Sequence, residues 1–330
     1  MGRVLKIIAG VFVVAAVAAA GAAWWGYAAF RAPGPSGSPV TVIIERGAGI
    51  DGIARALQRA GILDAPLAFR IAARLHSAKR PLKAGEYEFA AAISAEAALK
   101  LLQSGKTVVR RLTVAEGLTA AEVTAILTRT EGLMGSIAAP PAEGSLLPET
   151  YHFTWGDRRQ DMVRRMQDAM SALLARLWQG RSPGLPLDSP TEALILASIV
   201  EKETGVAAER PRIAAVFLNR LKKNMRLQSD PTVVYGLAGG NGGLGRTLTR
   251  ADLKTPGPYN TYLIDGLPPG PISNPGSASL ESVLRPAVTD DLYFVADGSG
   301  GHVFAATLEQ HNKNVAKWRK INKQPENPKK

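Results

Sequence analysis

The chain has 330 residues, 40 Lys and Arg against 28 Asp and Glu, a net charge of +12 and no cysteine. The missing cysteines exclude disulfides and thiolate chemistry, and the four histidines, at 76, 152, 302 and 311, have no metal-ligand spacing. The basic residues are dispersed and no aromatic–basic reading motif accompanies them, which argues against a nucleic-acid partner and for lipid headgroups or another anionic polymer.

Residues 1–6 read as a cytoplasmic tail and residues 7–30 as a transmembrane helix. The run from Ile7 to Phe30 carries no charge and is long enough to cross a hydrocarbon core of about 30 Å. Arg3 and Lys6 precede it, and Trp24, Trp25 and Tyr27 crowd its far end. Positive charge marks the cytoplasmic flank and amphipathic aromatics the headgroup zone. A single pass through the cytoplasmic (inner) membrane follows, with the remainder extracytoplasmic. A cleaved signal peptide is the rival reading, since Ala18-Ala19-Ala20 resembles a cleavage site. The apolar run is too long for that and continues through two tryptophans. Residues 31–39 are a Pro/Gly/Ser linker.

Residues 40–139 read as one or more small α+β modules. Gly47, Ile53, Leu57 and Arg59 have counterparts seventy residues later in Gly117, Val123, Leu127 and Arg129. Each copy opens as a strand (40–44; 110–114), turns at glycine and enters an amphipathic helix, although two such units can also look alike by chance. Between them lie a helix near Pro66–Leu75, a strand over Gly85–Phe89 whose alternation predicts one buried face, and a helix over Ala95–Leu102. Pro140-Pro141 marks the boundary of a second domain, 140–330. It should hold helices near 157–179, 190–203 and 208–224, a Gly/Pro-rich stretch over 236–276, a strand over Leu292–Ala296 and a helix near 307–321. The basic tail (Lys313, Lys317, Arg319, Lys320, Lys323, Lys329, Lys330) reads as a solvated helix end. A stretch as long as 236–276 without regular structure is usually functional or disordered, and its tyrosines and asparagines favour function.

The sharpest chemical signal lies in Leu194 to Thr204. At 100° per residue, Ile195, Leu196, Ile199 and Val200 form an apolar stripe with Glu203 near its middle, while Glu201 and Lys202 point away. One glutamate is then solvated and the other faces apolar surroundings. Burial resists ionisation and raises a carboxyl pKa, which is what a general acid needs near neutral pH. A helix-ending glutamate open to solvent or paired with arginine is the plainer alternative. Downstream, Gln228, Asp230, Tyr235, Asn260 and Tyr262 supply amides, a carboxylate and phenols suited to sugar hydroxyls and rings. The plainer alternative makes Gln228 and Asp230 turn and cap residues, and Tyr259 and Tyr262 core.

The segments Ile199 to Thr204, Asn219-Arg220-Leu221, Met225 to Gly236, Tyr259 to Tyr262 and Gly266 to Gly276 resemble the YceG-like family of endolytic murein transglycosylases. So do Leu147 to Tyr151, Leu292 to Ala296 and Gly301 to Phe304. The likeness covers nearly the whole chain. It implies an α+β fold: an N-terminal transmembrane helix, a LysM-like module and a mixed α+β lytic transglycosylase domain. It also implies Glu203, followed by Thr204, as the catalytic acid and base. Peptidoglycan glycan strands would be the substrate, cleaved between N-acetylmuramic acid and N-acetylglucosamine with 1,6-anhydro ends. No metal or organic cofactor is implied, and the implied partners are the membrane and peptidoglycan synthases. This chain has Gly144 to Glu149 where the family often carries aromatic residues, so the resemblance gives Glu149 no role. The competing class is a non-catalytic wall-binding or scaffold protein in which Glu203 is structural. A pyridoxal-phosphate lyase is disfavoured by the anchor and by the lack of a lysine that stands out as a Schiff-base site.

Overall fold

The computed structural model describes residues 2–77 and 80–322; Lys323, Lys329 and Lys330 of the basic tail lie outside the described residues. Contacts divide the chain into two compact units. The first is Met1–Arg111 with His152–Asp157, and the second is Leu112–Tyr151 with Arg158–Lys330.

In the first unit, α1 (Gly2–Arg31) is long and apolar enough to cross a membrane, and none of it is buried. Only its end meets the unit's globular part: Phe30 packs against the core and Arg31 pairs with Glu96 at 3.1 Å. Strand β1 (Val40–Ile44) leads to α2 (Ile50–Arg59), α3 (Pro66–Ser77), β2 (Gly85–Phe89) and α4 (Ala95–Ser104). β1 and β2 pair antiparallel, with Val42 opposite Tyr87. One face of the pair and the apolar sides of the helices bury Val42, Ile44, Leu57, Phe69, Tyr87, Phe89 and Leu102 together. Ser94 caps α4 by accepting the Ala97 N–H (3.2 Å), and Gly105 ends it in the left-handed region at φ 73°. The expected alternation of β2 fails at Glu86, which is buried beside Tyr87. The reason is ionic: Arg110 forks onto both Glu86 oxygens at 2.7 and 2.9 Å. Such a bidentate pair compensates a carboxylate for its lost water.

β3 (Val109–Thr113) pairs with β4 (Thr150–Thr154). The predicted strand, glycine turn and helix recur here: Gly117 takes φ 76° and α5 spans Ala120–Arg129. Thr119 and Glu122 close a capping box at its start, satisfying two otherwise orphaned N–H groups.

The rest of the second unit is largely helical: α6 (Arg159–Gln179), α7 (Pro190–Glu203), α8 (Arg210–Lys222), α9 (Asp230–Ala238) and α10 (Ser277–Leu284). An antiparallel hairpin, β5 (Tyr293–Ala296) with β6 (His302–Ala305), and α11 (Leu308–Asn322) complete it. Leu196, Ile199, Val200, Ile213, Phe217, Leu280 and Val283 share one core. α7 packs against α6, α8, α9 and α10 and is buried on every side over Ile195 to Val200. The single apolar stripe expected of it is corrected: Ala193 and all of Ile195 to Val200 are buried.

The stretch 236–276 is largely exposed over 236–251 and packed over 272–276, where side chains tie it. Ser198 Oγ accepts the Ile272 N–H (3.0 Å), and Ser273 Oγ donates to the Ser198 carbonyl (3.2 Å). Asn274 accepts the Leu146 N–H (2.9 Å) and donates to the Leu118 carbonyl (2.9 Å). These bonds place the Gly/Pro-rich chain against the last turns of α7.

Candidate active site

Helix α7 is specified at both ends. Ser189 accepts the Glu192 N–H at 3.2 Å, Pro190 occupies the first turn, and Glu192 reaches back to the Asp188 N–H at 2.7 Å. At the other end Thr204 turns extended (φ −144°, ψ 135°), so Glu203 is the last helical residue. Its side chain enters a cavity of about 420 Å³ whose lining includes Arg220, Gln228, Asp230, Tyr262, Phe294 and Trp318.

Ser229 donates from Oγ to Glu203 Oε1 at 2.5 Å, and among the described residues Oε2 has no hydrogen-bond partner. Burial pushes the Glu203 carboxyl up to about 7; the Ser229 hydroxyl opposes this, the Asp230 charge adds to it, and His302 and Arg220 oppose it. Desolvation outweighs one hydrogen bond because ionisation would place charge where water is scarce. The group can therefore both give and take a proton near neutrality.

The surrounding groups are held firmly. Gln228 adopts a left-handed backbone at φ 51°, unusual for a residue with a Cβ. This reversal, fixed by the Gln228 N–H on the Thr261 carbonyl (3.1 Å), turns Ser229 to Glu203 and starts α9. Fully buried Thr261 accepts the Ser229 N–H at 3.0 Å and is hydrogen-bonded, hydroxyl to hydroxyl, to Thr232 at 2.9 Å. Tyr262 donates to Asp230 Oδ1 at 2.6 Å, and burial, then that bond, keeps the Tyr262 phenol protonated far above its ordinary range. Arg220 is buried and donates to the carbonyls of Leu292 and Leu227, each at 2.7 Å. His302 and Glu209 hold each other through the His302 N–H (2.8 Å) and Nδ1 (2.7 Å).

Gln228, Asp230 and Tyr262 thus share the cavity of Glu203. Tyr235 lines a neighbouring cavity of about 300 Å³ with Thr119, Glu122 and Lys202, and Asp230 lines both. Asn260 belongs to neither. It is buried, and its amide donates to the carbonyls of Leu253 (3.1 Å) and Thr255 (2.8 Å) while accepting the Tyr262 N–H (3.0 Å).

The expectation that Glu201 is solvated is corrected. Its side chain is 5% exposed and pairs with Arg210 at 3.4 Å, and it accepts the Gly276 N–H at 2.9 Å. Helix periodicity aims Glu201 away from Glu203, but another part of the fold covers that side. The basic side chains read as a solvated helix end are exposed as expected at Lys313, Lys317, Arg319 and Lys320, while another face of α11 brings His311, Val315, Trp318 and Arg319 to the cavity. Their i, i+4, i+7, i+8 spacing was visible in the sequence, and the neighbouring lysines masked it. Ser229 and Thr261 had no such signal: both sit inside motif segments, and only the backbone reversal selects Ser229 over its neighbours.

A family model described as the YceG-like family matches residues 42–317. The endolytic murein transglycosylase of Bacillus subtilis is 31% identical over 315 residues, covering 86% of this chain and 86% of that protein. The protein of the same name from Streptococcus pneumoniae serotype 2 is 30% identical over 326 residues, covering 84% of this chain and 58% of its own length. A crystal structure of a YceG-like protein from Listeria monocytogenes is similar with a TM-score of 0.51 and 32% identity, covering 84% of this chain and 99% of that one. The chain belongs to the YceG-like family.

Proposed function

We propose that this chain is a membrane-anchored endolytic lytic transglycosylase that cleaves peptidoglycan glycan strands between N-acetylmuramic acid and N-acetylglucosamine. The observation that carries the proposal is the Glu203 carboxyl, raised to about 7 and set in a polar cavity. Relatives named endolytic murein transglycosylase support the substrate class.

Protonated Glu203 gives its proton to the glycosidic oxygen as the C1–O bond breaks, releasing the N-acetylglucosamine 4-hydroxyl. The Glu203 carboxylate, now accepting from Ser229, takes the proton of the muramyl C6 hydroxyl, and O6 closes on C1. The product is a 1,6-anhydro ring, and Glu203 ends protonated as it began. One carboxyl serves both halves, whereas ordinary glycosidases use two and a water. The Asp230 carboxylate favours the positive charge that develops on the ring, and Tyr262 holds it in place. On this reading α1 is a single-pass anchor of the cytoplasmic membrane, residues 40–139 include a LysM-like module, residues 140–330 carry the catalysis, and peptidoglycan synthases are the partners.

Glu203→Gln keeps shape but cannot transfer a proton. We expect it to lower the release of soluble fragments from purified glycan by at least about 10²–10⁴-fold. Glu201→Gln should retain most activity and instead lower stability by about 1–3 kcal/mol, because its carboxylate serves Arg210 and the Gly276 N–H. Robust cleavage by the Glu203 variant, or equal losses in the two, contradicts the assignment.

A further inference from the structure

α11 turns His311, Val315, Trp318 and Arg319 to the cavity that holds Glu203, while Lys313, Lys317 and Lys320 are exposed on the opposite side. None of the four cavity-lining side chains belongs to the apolar core of the second unit. An indole that lines a polar cavity without joining the core leaves an apolar plate with one N–H at its edge. That plate matches the C–H-bearing face of a pyranose ring.

A second observation points to the same ligand chemistry. The His311 ring stacks on Tyr293 at 5.1 Å and 24°, which fixes its orientation. Burial lowers its pKa, so the ring is neutral near pH 7. Its Nδ1 is buried without a hydrogen-bond partner. Nδ1 itself is sealed from the cavity, so the ring can meet a ligand only through Nε2, and a neutral imidazole suits a hydroxyl or an amide better than a charged group.

We propose that Trp318 and His311 form a saccharide subsite of this cavity, with Trp318 the stacking platform for an N-acetylated pyranose and His311 its hydrogen-bond partner. The proposal rests on the glycan-cleaving reading above. Trp318 lies one residue beyond the span matched by the family model, so that match did not point to it.

The test uses detergent-solubilised full-length chain carrying Glu203→Gln, so that ligand is bound without being consumed. The probes are a soluble oligomer of β-1,4-linked N-acetylglucosamine and purified glycan strands, titrated calorimetrically. Trp318→Ala should bind about ten-fold more weakly. Trp318→Phe, which keeps a ring, should stay within about three-fold of the parent. Trp318→Leu, which keeps apolar bulk without a ring, should resemble Ala and guards against loss of fold. In the active chain, Trp318→Ala should raise KM more than it lowers kcat. Unchanged binding by the Ala variant, or equal rescue by Leu and Phe, overturns the subsite and leaves the catalytic reading standing. A parent that binds neither probe, together with a wild-type chain that cuts no glycan, overturns both.

Discussion

Two carboxyls two residues apart at the end of α7 meet opposite fates. Glu201 receives an arginine and a backbone N–H, whereas Glu203 receives one serine hydroxyl and a cavity. Burial without a directly paired cation makes Glu203 bind its proton more tightly in the folded chain than in the unfolded one. Its pKa rises from 4.5 to about 7, which corresponds to roughly 3 kcal/mol of folding stability. The sign follows from linkage: this stability is fully present below about pH 4.5, declines as the pH climbs and is gone above about pH 7. Glu203→Gln carries no charge at any pH. It should therefore be more stable than wild type at about pH 8, with the difference largely gone near pH 4.5. Thermal melts of both proteins at the two pH values check this, and an equal difference at both would mean that Glu203 ionises freely in the fold. The tendency of Glu203 towards burial was legible in helical periodicity. The covering of Glu201 was not, because it depends on Arg210 and Gly276, which no spacing within α7 reports.

At the scale of elements, the site is a junction of the end of α7, the start of α9 and the 259–262 turn. Thr261 is its fastener, since it accepts the Ser229 N–H and meets Thr232 inside the protein. Thr261→Val keeps the shape, removes those bonds and leaves the Ser229 N–H unpaired. We expect a loss of about 1–3 kcal/mol in thermal melts, with cleavage falling as Ser229 loosens against Glu203; an unchanged melting temperature would remove Thr261 from this role. Elements with strong local signals were legible. α7, with its Ser-Pro cap and apolar run, spans Pro190–Glu203 as expected, and β2 spans Gly85–Phe89 as expected. α10, eight residues long, and strands β4 and β6 went unread. So short a helix is marginal without tertiary packing, and each strand exists through a partner elsewhere in the chain. The stretch 236–276 read as a long loop because its packed end, 272–276, is ordered by side-chain bonds to Ser198, Leu118 and Leu146 rather than by backbone periodicity.

For the whole molecule, α1 has a mean hydropathy of 2.4 over its most apolar window and carries no buried residue. Removing residues 1–26 spares Phe30 and Arg31, which serve the first unit, and should leave a chain that stays in the supernatant without detergent. Quantitative sedimentation of that chain with membranes would refute a single N-terminal anchor. On the proposed reading α1 holds the chain at the membrane surface, where the net charge of +12 suits both anionic headgroups and an anionic wall. On the proposed mechanism one carboxyl, Glu203, both breaks the glycosidic bond and drives ring closure without water. Mass spectrometry of glycan strands digested by the full-length chain in heavy-oxygen water tests it most directly. The account predicts muramyl ends that lack the elements of water and carry no heavy oxygen, and their disappearance with Glu203→Gln. Reducing ends labelled with heavy oxygen would show hydrolysis and contradict the account.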